Sequence, residues 1–242
     1  MKKRVVLPAA FILDLDDVMW HAGFDLRHIG QASRSEFPRY HVAQDYEIIH
    51  QLGKALNMKI CCPICLGDWD RENVLRGVVG ATHDPYGWDR KSKIDYNACN
   101  AYFQAAEASE YIDYAYHGLL HGLYGERGER LNEWEYFRMN ADQQPVMLSD
   151  GEIETHLDLF DRIYHAWDFQ KKIRCFCPPC GIPLADKTNW SELERLLACF
   201  IKEACAISLQ GGRAKRNAHA SIPVCCTWKS MCALGFPLRH MT

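Results

Sequence analysis

Two periodicities run through this chain. Stretches of 6 to 11 residues with continuous or near-continuous apolar character occur at Val5 to Leu15, Met58 to Leu66 and Tyr111 to Tyr116, and another at Lys172 to Cys177 is stopped by Pro178-Pro179. Runs of that length read as buried strands. Between them the spacing is helical. Val42 to Leu56 carries Ile48, Ile49, Leu52 and Leu56 on one face, and Asn97 to Ser109 carries Tyr102, Phe103 and Ala106. Glu152 to Phe169 is predicted as a helix, capped by Ser149-Asp150-Gly151-Glu152. Ser191 to Leu209 is amphipathic through Leu193, Leu196, Leu197, Phe200, Ile201 and Ala204. Strand, helix, strand at these intervals predicts parallel βαβ units. Gly125 to Gln144 reads as a charged loop with Trp134, Tyr136 and Phe137 embedded in it. Past Gly211-Gly212 the pattern weakens, with Ile222 to Trp228 a last strand. The expected organisation is one α/β domain over 1–210 and an ill-defined C-terminal segment over 211–242.

The first strand runs straight into Asp14-Leu15-Asp16-Asp17. Open α/β sheets and barrels place their chemistry at the carboxyl ends of their strands. Three acids at one such end call for a cation, a shared proton or a phosphate-handling task. Composition changes this picture only by exclusion. Of the 242 residues, 48% are hydrophobic and 24% charged, and the net charge of -3 offers no general attraction to nucleic acid. Arg213-Ala-Lys-Arg216 reads as a solvated surface segment. No apolar stretch reaches the roughly 18 residues of a membrane span. Lys2-Lys3-Arg4 followed by Val5 to Leu13 imitates a secretory leader, but the run is short and ends in Asp14 and Asp16, so a strand is expected.

Twelve cysteines are many for this length, and they cluster in strand-like sequence. Buried thiols in a reduced, cytoplasmic protein are the expected reading. Cys62-Pro-Ile-Cys65 and Cys177-Pro-Pro-Cys180 could instead join as a structural zinc site, since the spacing permits it. Trp20, Trp69, Trp88, Tyr124 and Trp134 fall in loops after strands. Loop aromatics there are compatible with sugar stacking, although most such residues are buried anchors.

The second cluster of chemistry is His117-Gly118-Leu119-Leu120-His121, just past the aromatic strand. If Leu119 opens a helical turn, that spacing brings both imidazoles to one side, as in two-histidine metal sites. Neutral imidazole with carboxylate suits zinc and other first-row divalent ions.

Asp16-Asp17 at the end of the first strand, with His117-x-x-x-His121 after a later one, resembles the polysaccharide deacetylase (NodB-homology) superfamily. The resemblance implies a distorted (β/α) barrel, incomplete here at its C-terminus. It implies Asp16 as catalytic base and Asp17, His117 and His121 as ligands of a divalent metal, most often zinc. The implied reaction is hydrolysis of an amide, such as removal of acetyl from an N-acylated sugar; the partner is then a carbohydrate or small amide, with no nucleic acid. Asp14, Asp68, Asp70 and Arg174 are the expected supporting or substrate-facing residues, Arg174 through a weaker match at Arg174-Cys-Phe-Cys-Pro178. The chain departs from the family at Asp14-Leu15, where Thr-Phe is usual, and at Val18, where Gly is usual. His219 and His240 are the C-terminal candidates for a catalytic-acid histidine.

Asp14-Leu-Asp16-Asp17-Val18 also resembles the haloacid dehalogenase-like hydrolases. That resemblance implies Asp14 as phosphoryl-accepting nucleophile, Asp16 as general acid/base and magnesium as the metal. Lys54 and Lys59 are its available amines, and it leaves His117 and His121 without a task. A third possibility is a catalytically degenerate member that binds metal or carbohydrate without turnover.

Overall fold

Ile60–Ile64 (β1) buries four of its five residues, as expected of a strand covered on both faces. The computed structural model of the chain describes residues 13–19, 41–173, 175–183, 195–196 and 198–199. In it β1 pairs in parallel with β2 (Ile112–Tyr116), from Ile60 opposite Ile112 to Ile64 opposite Tyr116. On its far edge β2 pairs in parallel with β7 (Cys175–Phe176). Residues 13–18 run parallel along the other edge of β1, through Asp14 opposite Cys61 and Val18 opposite Ile64. Four parallel segments therefore lie in the order 13–18, β1, β2, β7. The α/β class holds, while no closed barrel forms among the described residues.

Three of the four expected helices fall close to their expected places: α1 at Ala43–Leu56, α2 at Tyr96–Ala108 and α3 at Asp150–Ala166. The helix expected over 191–209, the strand expected over 222–228 and the first strand up to residue 12 lie outside the described residues, apart from 195–196 and 198–199. Ser149 caps α3, accepting from the Glu152 N–H while the Glu152 carboxylate accepts from the Ser149 N–H. The face of α1 is a correction. Ile48 is 66% exposed and Leu56 48%, whereas Tyr46 and Gly53 are buried. The close contact is made at Gly53, where a Cβ would lie 2.5 Å from that of Tyr111. The stretch read as a charged loop holds short strands: β3 (Leu123–Tyr124) with β4 (Arg130–Asn132), and β5 (Phe137–Met139) with β6 (Pro145–Met147). Strands of two or three residues are too short to show a period.

One aromatic group ties these layers together. Trp69, fully buried in the 3-10 turn Gly67–Trp69, packs edge-on against Tyr102 of α2 at 5.2 Å and Trp167 past α3 at 4.7 Å. Its indole N–H donates to the Met19 carbonyl. Tyr46 holds the same residue from the other side, accepting from the Met19 N–H at 3.1 Å. The acidic segment is thus pinned just past Asp17. Trp69, Trp88 and Tyr124 are all core residues, which corrects any reading of them as sugar platforms; Trp20 lies outside the described residues.

Candidate metal centre

Each of the four parallel segments delivers a polar side chain to the same edge of the sheet. Asp17 is the next-to-last residue of the first, and Cys65, His117 and Cys177 immediately follow β1, β2 and β7. Asp17, Cys65 and His117 are buried and present ligand atoms within 4.8 Å of one another, so the cluster can hold a metal ion.

The backbone that aims Asp17 has a local cause. Between the Asp14–Cys61 and Val18–Ile64 bridges, residues 15, 16 and 17 face only residues 62 and 63. That is a bulge of one extra residue, and Asp17 at its end has φ +60°. Residue 63 is proline, which has no N–H to donate, so the bulge lifts away from β1 without stranding a donor. A left-handed backbone at a non-glycine residue is strained and persists only where neighbours enforce it; here Tyr46 and Trp69 do so through Met19.

The two histidines converge by a different route from the expected helical turn. Residues 117–122 form no helix. Gly118 has φ +85° and His121 φ +51°, and these turns fold the loop until the imidazole centroids are 5.0 Å apart. The loop rests on Leu66-Gly67: the Gly67 N–H donates to the Leu119 carbonyl at 2.7 Å, and a Cβ on Gly67 would strike Leu120 at 2.5 Å. From the other side Glu135, fully buried, accepts from the Leu119 N–H at 2.8 Å and contacts His156 Nδ1 at 3.1 Å. A side chain on Gly118 would meet Glu135 Oε2 at 2.1 Å. Beyond this strut a cavity of about 670 Å³ is lined by Gly80, Tyr124 and His156.

The donor geometry suits an ion. Asp17 Oδ1 stands 3.5 Å from His117 Nε2 and 3.8 Å from His121 Nε2. Donors bonded at about 2.0–2.2 Å around a tetrahedral ion stand roughly 3.3–3.6 Å apart, a spacing that His117 meets and His121 slightly exceeds. His117 Nδ1 lies 2.6 Å from the Cys177 carbonyl. A carbonyl only accepts, so Nδ1 carries the hydrogen, and Nε2, turned toward Asp17, is the atom at which a proton and a metal compete. His117 Nε2 is buried and has no hydrogen-bond partner among the described residues.

Electrostatics point the same way. Burial works against charging His117, but Asp17 and Asp16 with the Cys177 carbonyl outweigh it and raise its pKa. Asp16 is raised mainly by loss of solvent around its carboxyl, opposed by His117 and reinforced by Asp14 and Asp17. In the metal-free protein both groups bind protons more tightly folded than unfolded. Each therefore adds stability below its unfolded pKa, and that stability is lost as pH rises through the raised folded value. A metal competes with the proton for His117 Nε2. Below the raised His117 pKa, apparent zinc affinity is expected to fall by about tenfold per pH unit, measurable by competition with a chromophoric chelator. Affinity independent of pH through the imidazole range would exclude His117 as a ligand.

Not every expected residue joins the centre. Asp70 accepts from the N–H groups of Val74 and Leu75 and from the Trp88 indole, at 2.8 to 2.9 Å. It holds the turn after the 3-10 segment, which corrects its expected place at the cleft. Asp68 is buried against Arg90 at 3.6 Å, on the side of α2. Asp14 is half-buried in its bridge to Cys61 and acts on Asp16 through its charge. Arg174, His219 and His240 lie outside the described residues. The two Cys-x-x-Cys pairs do not build a four-thiol site among the described residues. Burial in β1 pushes the Cys62 thiol up to about 12, and exposed Cys180 meets Glu133 at 2.9 Å. The sequence offered Cys65 as a ligand only within a four-thiol zinc pair, not beside Asp17 and His117; its place just past β1 was the available signal. Set beside known protein families, curated proteins and solved structures, the chain finds no match.

Proposed function

We propose that the protein is a metal-dependent hydrolase that removes an acyl group from an N-acylated sugar or a related amide. Asp17, His117 and His121 hold a divalent ion, zinc for preference, and Asp16 is the general base. The observation carrying this reading is the single Asp17 oxygen within 3.8 Å of both imidazole nitrogens, with a second carboxyl of raised pKa next in sequence. Bound there, zinc would supply Lewis acidity toward an amide carbonyl and acidify water. Asp16 is the outermost acid of the segment and reaches solvent, where it can take a proton from an attacking water. Its raised pKa makes it a stronger acceptor than an ordinary carboxylate. Burial raises that pKa most, and the charges of Asp14 and Asp17 add to it. A reducing, cytoplasmic setting suits the buried Cys62, Cys65, Cys99 and Cys177; among the described residues no helix is long and apolar enough to cross a membrane. The phosphatase alternative draws less support from the described residues: Lys59, one of its two amines, is engaged by Asp113 at 2.8 Å.

The test is acetate release from N-acetylglucosamine oligomers by zinc-loaded protein, with Asp16→Asn alongside. Asp16→Asn should lower the rate by about 10²–10⁴ while leaving metal content unchanged. Metal binding without turnover in the parent protein would select the degenerate, binding-only reading. Magnesium-dependent phosphate release abolished by Asp14→Asn would replace the proposal with the phosphatase one.

A further inference from the structure

We propose that Cys65 is a thiolate ligand of the same ion, making a mixed nitrogen, oxygen and sulfur centre that takes zinc and rejects magnesium and calcium. This rests on the reading of Asp17 and the histidines as ligands, and adds to it a donor outside that set. Sheet order supplies the first argument. β1 lies between the 13–18 segment and β2, so the residue leaving its carboxyl end falls between Asp17 and His117. Cys65 Sγ is 3.8 Å from Asp17 Oδ1 and 3.3 Å from the His117 carbonyl oxygen, and it belongs to the one group of closely spaced donors found among the described residues. A tetrahedral ion with a bond of about 2.3 Å to sulfur and about 2.0–2.2 Å to oxygen holds those atoms roughly 3.5–3.7 Å apart.

Charge supplies the second argument. Asp17 alone leaves a divalent ion half-neutralised in a site where Asp17, Cys65, His117 and His121 are each at most 6% exposed. Adding a thiolate gives two anionic donors, Asp17 and Cys65, beside the neutral His117 of the closely spaced group, and these balance the ion; His121, outside that group, approaches Asp17 Oδ1 at 3.8 Å. The ion in turn drives the thiol proton off, which a carboxylate neighbour by itself opposes. Sulfur then decides selectivity, because thiolate favours zinc and its soft neighbours while magnesium and calcium demand oxygen.

Cobalt is the probe. Titrating reduced, full-length protein with Co(II) should produce visible d–d bands together with an intense sulfur-to-cobalt charge-transfer band in the near-ultraviolet. Cys65→Ala should lose the charge-transfer band and keep d–d absorption, while Cys62→Ser and Cys177→Ser should keep both. X-ray absorption of the zinc-loaded parent protein needs no variant to fold, and should show a single sulfur scatterer at about 2.3 Å. Cobalt bound with no charge-transfer band, or no sulfur at zinc, would overturn the thiolate assignment and leave the metal reading standing. A band lost in Cys177→Ser but kept in Cys65→Ala would also overturn it. Failure to bind either metal would overturn both.

Discussion

Replacing His117 with alanine is expected to strip the protein of its metal. The imidazole is buried, its Nδ1–H is fixed by the Cys177 carbonyl at 2.6 Å, and Nε2 is directed at Asp17. That is the arrangement in which a second partner sets both the tautomer and the ring orientation of a metal-binding histidine. Disturbing such an outer partner costs about 10–100-fold in affinity; deleting the ligand itself should exceed the upper end of that range. Metal content after dialysis against a weak chelator is the readout, with circular dichroism confirming that the variant is folded. Asp17→Ala should behave alike. A folded His117→Ala protein that retains stoichiometric zinc would remove the centre from the map. The variant also frees Asp16 of its strongest favourable charge partner, so any residual activity should shift to higher pH.

The second large effect belongs to Glu135, a residue that touches no proposed ligand. Its carboxylate accepts from the Leu119 N–H inside the histidine loop and contacts His156 on α3. All three groups are buried, so Glu135→Ala strands two polar partners at about 1–3 kcal/mol each, and the expected loss is about 2–5 kcal/mol. Glu135→Gln keeps the shape and one acceptor and should lose less. Urea unfolding measures this directly. Because the same carboxylate holds the loop in the backbone shape that turns His121 inward, metal affinity should fall by about 10–100-fold in the glutamine variant as well. Stability loss with unchanged affinity would show that Glu135 supports the fold and not the centre.

The centre is one residue out of step with a simple reading of the acidic stretch. Asp14, Asp16 and Asp17 look equivalent as sequence, yet they occupy three different environments. Asp14 is spent on the sheet edge, Asp16 faces outward with a raised pKa, and Asp17 turns in beneath the histidines. The bulge opposite Pro63 separates them. Pairing without that extra residue would turn Asp17 to the other face, because side chains alternate along a strand.

By itself the sequence determined the alternating elements between residues 42 and 177, the capped start of α3, and the two clusters that meet: an acid group at one strand end and a histidine pair at another. These are local properties, written in apolar periodicity and in capping residues whose partners lie three positions away. The tertiary structure alone decided which side chains converge. Strand order placed Cys65 between Asp17 and His117, left-handed turns at Gly118 and His121 did what a helical turn was expected to do, and Asp70 was drawn into a turn of its own. Such outcomes depend on which segments become neighbours across the sheet. That is fixed by the packing of β1 between two parallel partners, and no short stretch of sequence carries it.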